Sequence, residues 1–154
     1  MNDRKRATVT QQSDLLARQG KYAEAIISLV FELEGVSFVE IENLLSPYVD
    51  IEGVMAMCYP GQDNIILWHN INQRFLNIVK EAMNAKDALG NYKIALKPTQ
   101  PLVYYVDGKV PDFPIAKSIR QYKQEHWLPM TFSPLKKAKE DMVLWRSRGY
   151  NTNE

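Results

Sequence analysis

The chain is poor in the features that mark secreted or membrane-spanning proteins. It has one cysteine, Cys58, in 154 residues, and one cysteine cannot form an internal disulfide, which fits a reducing compartment. Its longest apolar runs, such as 54–59, are far shorter than the about 20 residues that a membrane span needs. The polar start of the chain has no apolar segment behind its basic residues, so we expect no signal peptide. Together these features predict a cytoplasmic protein with no membrane partner.

Residues that could hold a metal or a cofactor are few and scattered. His69, His126 and Cys58 have no close spacing, so we expect no metal site. The seven glycines stand singly, and neither GxGxxG nor a Walker sequence occurs, so we expect no nucleotide cofactor. Each histidine neighbours a tryptophan, and a structural histidine is the commoner outcome at such a position.

The sequence also lacks a recognisable catalytic set. Glu32 with Glu34, and Glu40 with Glu42, are expected on solvated helix exteriors rather than as acid and base pairs. Cys58 has apolar neighbours, which are typical of an inert buried thiol. Since no acid, base and nucleophile can be named together, we predict that the protein is not an enzyme.

Charge is divided unevenly along the chain. Residues 1–77 hold six Lys/Arg against ten Asp/Glu, a balance of −4, whereas residues 78–154 hold thirteen against eight, a balance of +5. Three of the early basic residues form the cluster Arg4, Lys5 and Arg6. The net charge of +1 therefore conceals an acidic and a basic half of the sequence.

Apolar spacing in the first part of the chain predicts helices. Over 13–35 apolar residues recur every three or four positions with one interruption, which indicates a short helix and then a longer one that ends at Gly35. Ser37 and Glu40 match the capping box, in which hydroxyl and carboxylate each accept a backbone N–H. The next helix is therefore predicted to begin at Ser37 and to end before Pro47.

The middle of the chain predicts a β-hairpin followed by a helix. Residues 47–58 fit either a helix or a strand, and we favour a short helical turn that leads into a strand. Turn-forming residues fill 60–64 and the β-rich run 65–68 follows, which predicts a hairpin. Asparagines within 70–72 can cap the amphipathic helix that the pattern predicts as far as Lys86.

The second half is expected to form a small antiparallel sheet. The β-branched and aromatic runs 92–96 and 102–106 predict two strands. Asp107 and Gly108 predict a tight hairpin turn, and Pro111 indicates that the return strand is short or at an edge.

A last strand and a closing helix are predicted after that sheet. Residues 115–125 show no clear period, and 127–132 predict one more strand. Ser133 and Pro134 match an N-cap and first-turn pair, so the C-terminal helix is predicted from there to Gly149.

These elements predict one globular α+β domain. A chain of this length can bury one proper core, whereas two domains would each be marginal. We place the domain at 13–149, with a flexible basic arm over 1–12 and a loose tail over 150–154.

The order of helices, β-hairpin and helix over 22–86 resembles the winged-helix arrangement. The resemblance lies in the order of elements and not in a residue motif. It implies a winged-helix-like first half and DNA binding. Recognition helices normally present basic or amide side chains to the groove, whereas Asp50 and Glu52 follow the capped helix and would repel phosphates.

The basic second half offers the better binding surface, because lysines and arginines there are interleaved with tyrosines. Charge for phosphates and rings for stacking could then coincide. We therefore predict a non-enzymatic nucleic-acid-associated or regulatory protein, and the cluster Lys136, Lys137 and Lys139 also favours an anionic partner. The predicted binding residues are Arg4, Lys5, Arg6, Lys93, Lys97, Tyr104, Lys109, Lys117, Arg120, Tyr122 and Lys123.

Two other interpretations stay open. The same residues fit an ordinary solvated surface around half-buried tyrosines. The opposite charges of the two halves also fit a protein-interaction adaptor or a homodimer with no nucleic-acid binding, and a short edge strand near Pro111 could accept a strand from a protein partner.

Overall fold

The computed structural model describes residues 10–139, which form an α+β fold as predicted. The helices are Gln11–Arg18 (α1), Tyr22–Leu33 (α2), Phe38–Leu45 (α3), Gln73–Asn84 (α4) and Leu102–Asp107 (α5). The strands are Glu52–Tyr59 (β1), Gln62–Ile71 (β2), Ile94–Pro98 (β3), His126–Trp127 (β4) and Met130–Pro134 (β5). Residues 135–139 are helical as well. Within the described range, no helix has the length and apolar character needed to span a membrane.

The first two helices confirm the predicted short and long pair. Thr10 caps α1, because its hydroxyl accepts the Ser13 N–H at 3.2 Å. This cap starts the helix at Gln11, so the last two residues of the predicted arm are helical instead. Residues 1–9 of that arm lie outside the described range. Glu34 ends α2 in a left-handed conformation, one residue before Gly35.

The capping box at the start of α3 is confirmed. Ser37 Oγ accepts the Glu40 N–H at 3.2 Å, and Glu40 Oε1 accepts the Ser37 N–H at 3.0 Å. The predicted solvated exterior of this helix is wrong, since Glu40 is 1% and Glu42 7% exposed. The reason is that α3 packs against α1, α2 and α5 and buries seven of its eight residues.

The predicted β-hairpin is present and belongs to a three-stranded sheet. After a turn at Tyr48 and Val49, β1 and β2 pair antiparallel, so the turn and strand predicted over 47–58 are confirmed. On its other edge β2 pairs parallel with β4, with Ile65 opposite His126. A strand from the basic half thus completes the sheet of the acidic half.

The second sheet consists of β3 and β5, paired antiparallel from Ile94 and Pro134 to Pro98 and Met130. The predicted strand 127–132 is therefore divided between two sheets. Pro129 separates the parts, and its carbonyl accepts the Thr99 N–H at 3.0 Å instead of joining a ladder.

The strand predicted at 102–106 is wrong, because these residues form α5. Pro101 has helical dihedral angles and needs no N–H partner at the start of a helix. Gly108 ends the helix with φ 91°, so Asp107 and Gly108 form a helix terminus and not the predicted hairpin turn. Packing of the Tyr104 ring in the core outweighs the strand propensity of the segment.

The predicted N-cap at Ser133 is also wrong. Ser133 and Pro134 are the last residues of β5, and Ser133 Oγ donates to the Glu34 carbonyl at 3.2 Å. The helical stretch begins one residue later, at Leu135. The predicted end of that helix at Gly149 and the predicted tail lie outside the described residues.

The elements meet in one aromatic core. Phe38 stacks on Trp68 with ring centroids 5.5 Å apart and meets Phe132 edge-on at 4.9 Å. Tyr104 contacts Trp68 at 5.3 Å and Trp127 at 5.1 Å. These five rings join α3, α5 and both sheets, and such ring pairs add about 0.5–1.5 kcal/mol each beyond burial.

Candidate nucleic-acid interface

The predicted tyrosines are not available for base stacking. Tyr104 is fully buried, and its hydroxyl donates to the Met130 carbonyl at 2.6 Å and accepts the Phe38 N–H at 3.0 Å. Tyr122 is 9% exposed and lies between Arg120 and the stacked ring of His126. Both tyrosines are buried and hydrogen-bonded within the fold.

Lys109 is occupied by an ion pair. Its Nζ lies 2.7 Å from Oε1 of Glu42, while the other oxygen of that carboxylate accepts from Trp68 Nε1 at 2.7 Å. Glu42 is buried, so this lysine compensates a charge that would otherwise be costly. Lys109 therefore neutralises a buried carboxylate, and this ion pair does not fit the predicted phosphate-binding role.

Three other predicted cations lie on an exposed loop. Lys117, Arg120 and Lys123 are exposed on the irregular segment 115–125. The Tyr122 hydroxyl shapes that loop by accepting the N–H groups of Lys117 and Ser118. We call Lys117, Arg120 and Lys123 the loop cations.

Lys93 lies elsewhere, in a surface groove of about 640 Å³. The groove runs between the end of α2, the start of β3 and residues 134–139, and we call it the basic groove. Lys136 and Lys139 line it together with Lys93. None of these three ammonium groups forms an ion pair with a carboxylate among residues 10–139.

The basic groove and the loop cations are separate surfaces. Lys117 shares a cavity with Pro98, the last residue of β3, whereas Lys93 precedes the first residue of that strand. The five residues of β3 extend over about 13 Å, so Lys93 and Lys117 lie near opposite ends of this strand. Lys97 is half-buried within β3. Arg4, Lys5 and Arg6 lie outside the described residues.

Two exposed aromatic rings also line the basic groove. Phe31 on α2 is 48% exposed and Tyr92 is 47% exposed. The Lys86 ammonium lies 5.0 Å from the centre of the Tyr92 ring. Lysines and exposed rings therefore meet in this groove, which includes Lys93 from the predicted set.

Backbone hydrogen bonds fix the position of Tyr92 and Lys93. Lys86 pairs with Tyr92 across an isolated bridge, and Gly90 turns the chain between them with φ 85°. The Leu135 N–H donates to the Lys93 carbonyl at 3.1 Å, which joins two walls of the groove. The site is thus built on an ordered loop and a strand.

One acidic residue, Asp87, also lines the groove. Its Oδ1 accepts the N–H groups of Leu89 at 2.9 Å and Asn91 at 3.0 Å. This carboxylate is engaged in closing the loop, so among the described residues that line the groove three cations face one acid with a structural role. The local balance favours an anionic ligand.

The histidines and the cysteine have structural surroundings. Desolvation lowers the pKa of His69, whose ring lies edge-on to Phe113 at 5.3 Å. Desolvation raises the pKa of Cys58, which disfavours the reactive thiolate. His126 Nδ1 lies 2.8 Å from the Gln124 carbonyl. Among residues 10–139, no three His, Cys, Asp or Glu side chains form a group able to hold a metal ion.

The sequence patterns do not single out Phe31. For Lys136 and Lys139 they predict an anionic partner, but they do not place these lysines among the binding residues. Phe31 lies off the buried stripe of α2, so an exposed aromatic residue on an otherwise apolar helix was the available signal. Lys136 and Lys139 are three residues apart, the spacing of one helix face. Their approach to Lys93 depends on the pairing of β3 with β5.

Comparisons of the chain with protein-family models, curated proteins and solved structures yield no match.

Proposed function

We propose that the protein is a nucleic-acid-binding protein that acts without catalysis and uses the basic groove. The observation that carries the proposal is the meeting, in one groove of about 640 Å³, of two exposed rings and three lysines that form no ion pair within residues 10–139. Lys93, Lys136 and Lys139 bind phosphates, and Phe31 and Tyr92 stack on bases.

The chemistry of the groove suits a nucleic-acid strand better than a simple anion. Lysines neutralise phosphates and release condensed counterions, which makes affinity fall with salt. Base stacking on an aromatic ring contributes about 1–3 kcal/mol per base. A small inorganic anion would use the lysines and leave Phe31 and Tyr92 without a role.

The winged-helix resemblance enters this proposal in a restricted form. The described order of three helices, hairpin and helix agrees with it. Burial of seven of the eight residues of α3 prevents that helix from entering a DNA groove. We therefore place the binding surface at the basic groove and not on α3.

Two charge-matched triple variants test the proposal. The groove variant changes Lys93, Lys136 and Lys139 to Ala, and the loop variant changes Lys117, Arg120 and Lys123 to Ala. Both remove three positive charges, so a general electrostatic effect would weaken them equally. We measure the fluorescence anisotropy of labelled single-stranded and duplex oligonucleotides over a salt series.

We expect wild-type affinity to fall with salt and the groove variant to bind at least about tenfold more weakly, while the loop variant stays close to wild type. An equal loss in both variants would refute the groove as the site. The absence of salt-dependent binding by the wild type would refute nucleic-acid binding altogether.

A second candidate function, a protein-interaction adaptor, is favoured by the outer face of α5. Leu102, Tyr105 and Val106 are 65%, 60% and 45% exposed and follow the spacing of one helix face. Exposed apolar clusters of this kind mark partner surfaces. This candidate predicts that Tyr105→Lys abolishes self-association or partner binding without changing oligonucleotide affinity, and sedimentation velocity of the two chains tests self-association.

A further inference from the structure

An apolar recess of about 350 Å³ adjoins the basic groove. The hairpin, the end of α4 and β3 form its walls, and its volume lies at the lower end of the range for small-ligand sites, about 300–1,000 Å³. The apolar side chains that line it include Leu67, Met83, Ile94, Leu96 and Met130.

The recess and the groove are neighbours. Tyr92 and Leu135 line both of them, so the Tyr92 ring lies between the lysines and the recess. One side of this composite site is therefore cationic and the other apolar. It suits a ligand that carries a flat, weakly polar group beside a negative charge.

One exposed amide also lines the recess. Asn84, the last residue of α4, makes no side-chain hydrogen bond with another residue in 10–139. A carboxamide presents both a donor and an acceptor, which matches the edge of a nucleobase. Asn84 can therefore orient a base that enters the recess.

We propose that the ligand is a single strand and that one unpaired base enters this recess while neighbouring phosphates lie on Lys93, Lys136 and Lys139. The inference rests on the proposed function of the groove. A duplex holds its bases stacked and paired, so it cannot supply a base to the recess without paying for unstacking. Single strands of RNA and of DNA both carry unpaired bases beside phosphates, so either could be the ligand.

The test compares probes of equal length and charge that differ in their bases or in both base and sugar. We use oligothymidylate, the same backbone with abasic sites, and oligouridylate as the RNA counterpart, all at one salt concentration. Wild type is expected to bind oligothymidylate at least about tenfold more tightly than the abasic strand. The ratio of oligouridylate to oligothymidylate affinity identifies RNA or DNA as the preferred source of the base.

A filling variant separates the recess from the exposed rings. Ala95 lines the recess, so Ala95→Trp should occupy it and reduce oligothymidylate affinity toward that of the abasic strand, with abasic affinity unchanged. Ala56→Trp, at an exposed position of β1 outside both cavities, is the matched control and should keep the wild-type preference.

Equal wild-type affinity for oligothymidylate and the abasic strand would overturn the inference and the stacking role of Phe31 and Tyr92, while salt-dependent binding of the strand by the three lysines would still stand. An undiminished base preference in a folded Ala95→Trp variant would also overturn the inference. The wild-type comparison needs no substitution, so equal affinities would overturn the inference even if Ala95→Trp does not fold. No salt-dependent binding of any probe would instead refute the proposed function itself.

Discussion

Tyr104 and Tyr105 are neighbours in sequence with opposite surroundings. Tyr104 is fully buried, whereas Tyr105 is 60% exposed. Burial raises the pKa of Tyr104, which therefore stays protonated and can donate to the Met130 carbonyl while accepting the Phe38 N–H. The sequence could not distinguish the two residues, because the prediction that they lie in a strand concealed which one faces the core.

Replacement of each tyrosine by phenylalanine tests whether the Tyr104 hydroxyl stabilises the fold more than the Tyr105 hydroxyl does. Tyr104→Phe leaves a buried N–H and a buried carbonyl without their partner, so we expect the free energy of unfolding to fall by about 1–3 kcal/mol. Tyr105→Phe removes an exposed hydroxyl and should change it by less than about 0.5 kcal/mol. Urea unfolding measures both, and equal effects of the two changes would contradict the assigned hydrogen bonds.

His69 makes stability depend on pH. Desolvation lowers its pKa from the model-compound value of 6.5, the Lys109 ammonium lowers it further, and Glu42 and Glu125 oppose the shift. The unfolded chain therefore takes up this proton first on acidification. The stability that neutral His69 contributes is present above about pH 6.5 and is lost as pH falls below it.

Substitution of His69 should reduce this pH dependence. In His69→Gln we expect the free energy of unfolding to decrease less steeply than in wild type as pH falls below about 6.5. Urea unfolding over a pH series gives the slopes. An unchanged slope would show that His69 has the same pKa in the folded and unfolded chain.

At the scale of elements, the sequence is most informative where a local signal has one structural meaning. The capping box at Ser37 places the start of α3 correctly, since the signal and its hydrogen bonds lie within four residues. The run 102–106 is ambiguous, because aromatic and β-branched residues also fit a short helix that packs one ring in the core. Pro101 before it and Gly108 after it were the local signals for a helix.

The bulge in β1 makes an element-scale prediction. Glu52 and Met55 both lie opposite Ile71, so the two residues between them have no partner of their own. A Cβ on Gly53 would lie 2.7 Å from the Ile71 carbonyl oxygen and 2.9 Å from Asn72 Cα. We expect Gly53→Ala to lower the free energy of unfolding by about 1–3 kcal/mol.

Gly35 supplies the matched control for this change. A Cβ there meets no atom within 4 Å, so Gly35→Ala should be within about 0.5 kcal/mol of wild type in the same denaturation experiment. A tolerated alanine at position 53 would contradict the close packing of β1 on the end of β2.

At the scale of the whole molecule, the acidic and basic halves of the sequence do not form two halves of the fold. Lys109 from the basic half neutralises Glu42 from the acidic half. β4, also from the basic half, completes the β1–β2 sheet. Charge counting along the chain could thus identify an excess of cations but not their arrangement.

The candidate site depends on contacts that are remote in sequence. Phe31, Lys93 and Lys136 come from three separate segments and meet because β3 pairs with β5 beside α2. Local patterns predict helices and strands, whereas this meeting is decided by sheet pairing. Of the predicted binding residues within 10–139, Lys93 alone lines the groove.

The most direct test of the groove as a binding site is NMR chemical-shift mapping. A short oligothymidylate is added to the ¹⁵N-labelled chain, and inorganic phosphate at equal charge serves as the control. We expect the amides of Phe31, Tyr92, Lys93 and Lys136 to shift with oligonucleotide and to shift less with phosphate, because stacking adds to the charge interaction. Shifts confined to residues 115–125, or none at all, would contradict the account.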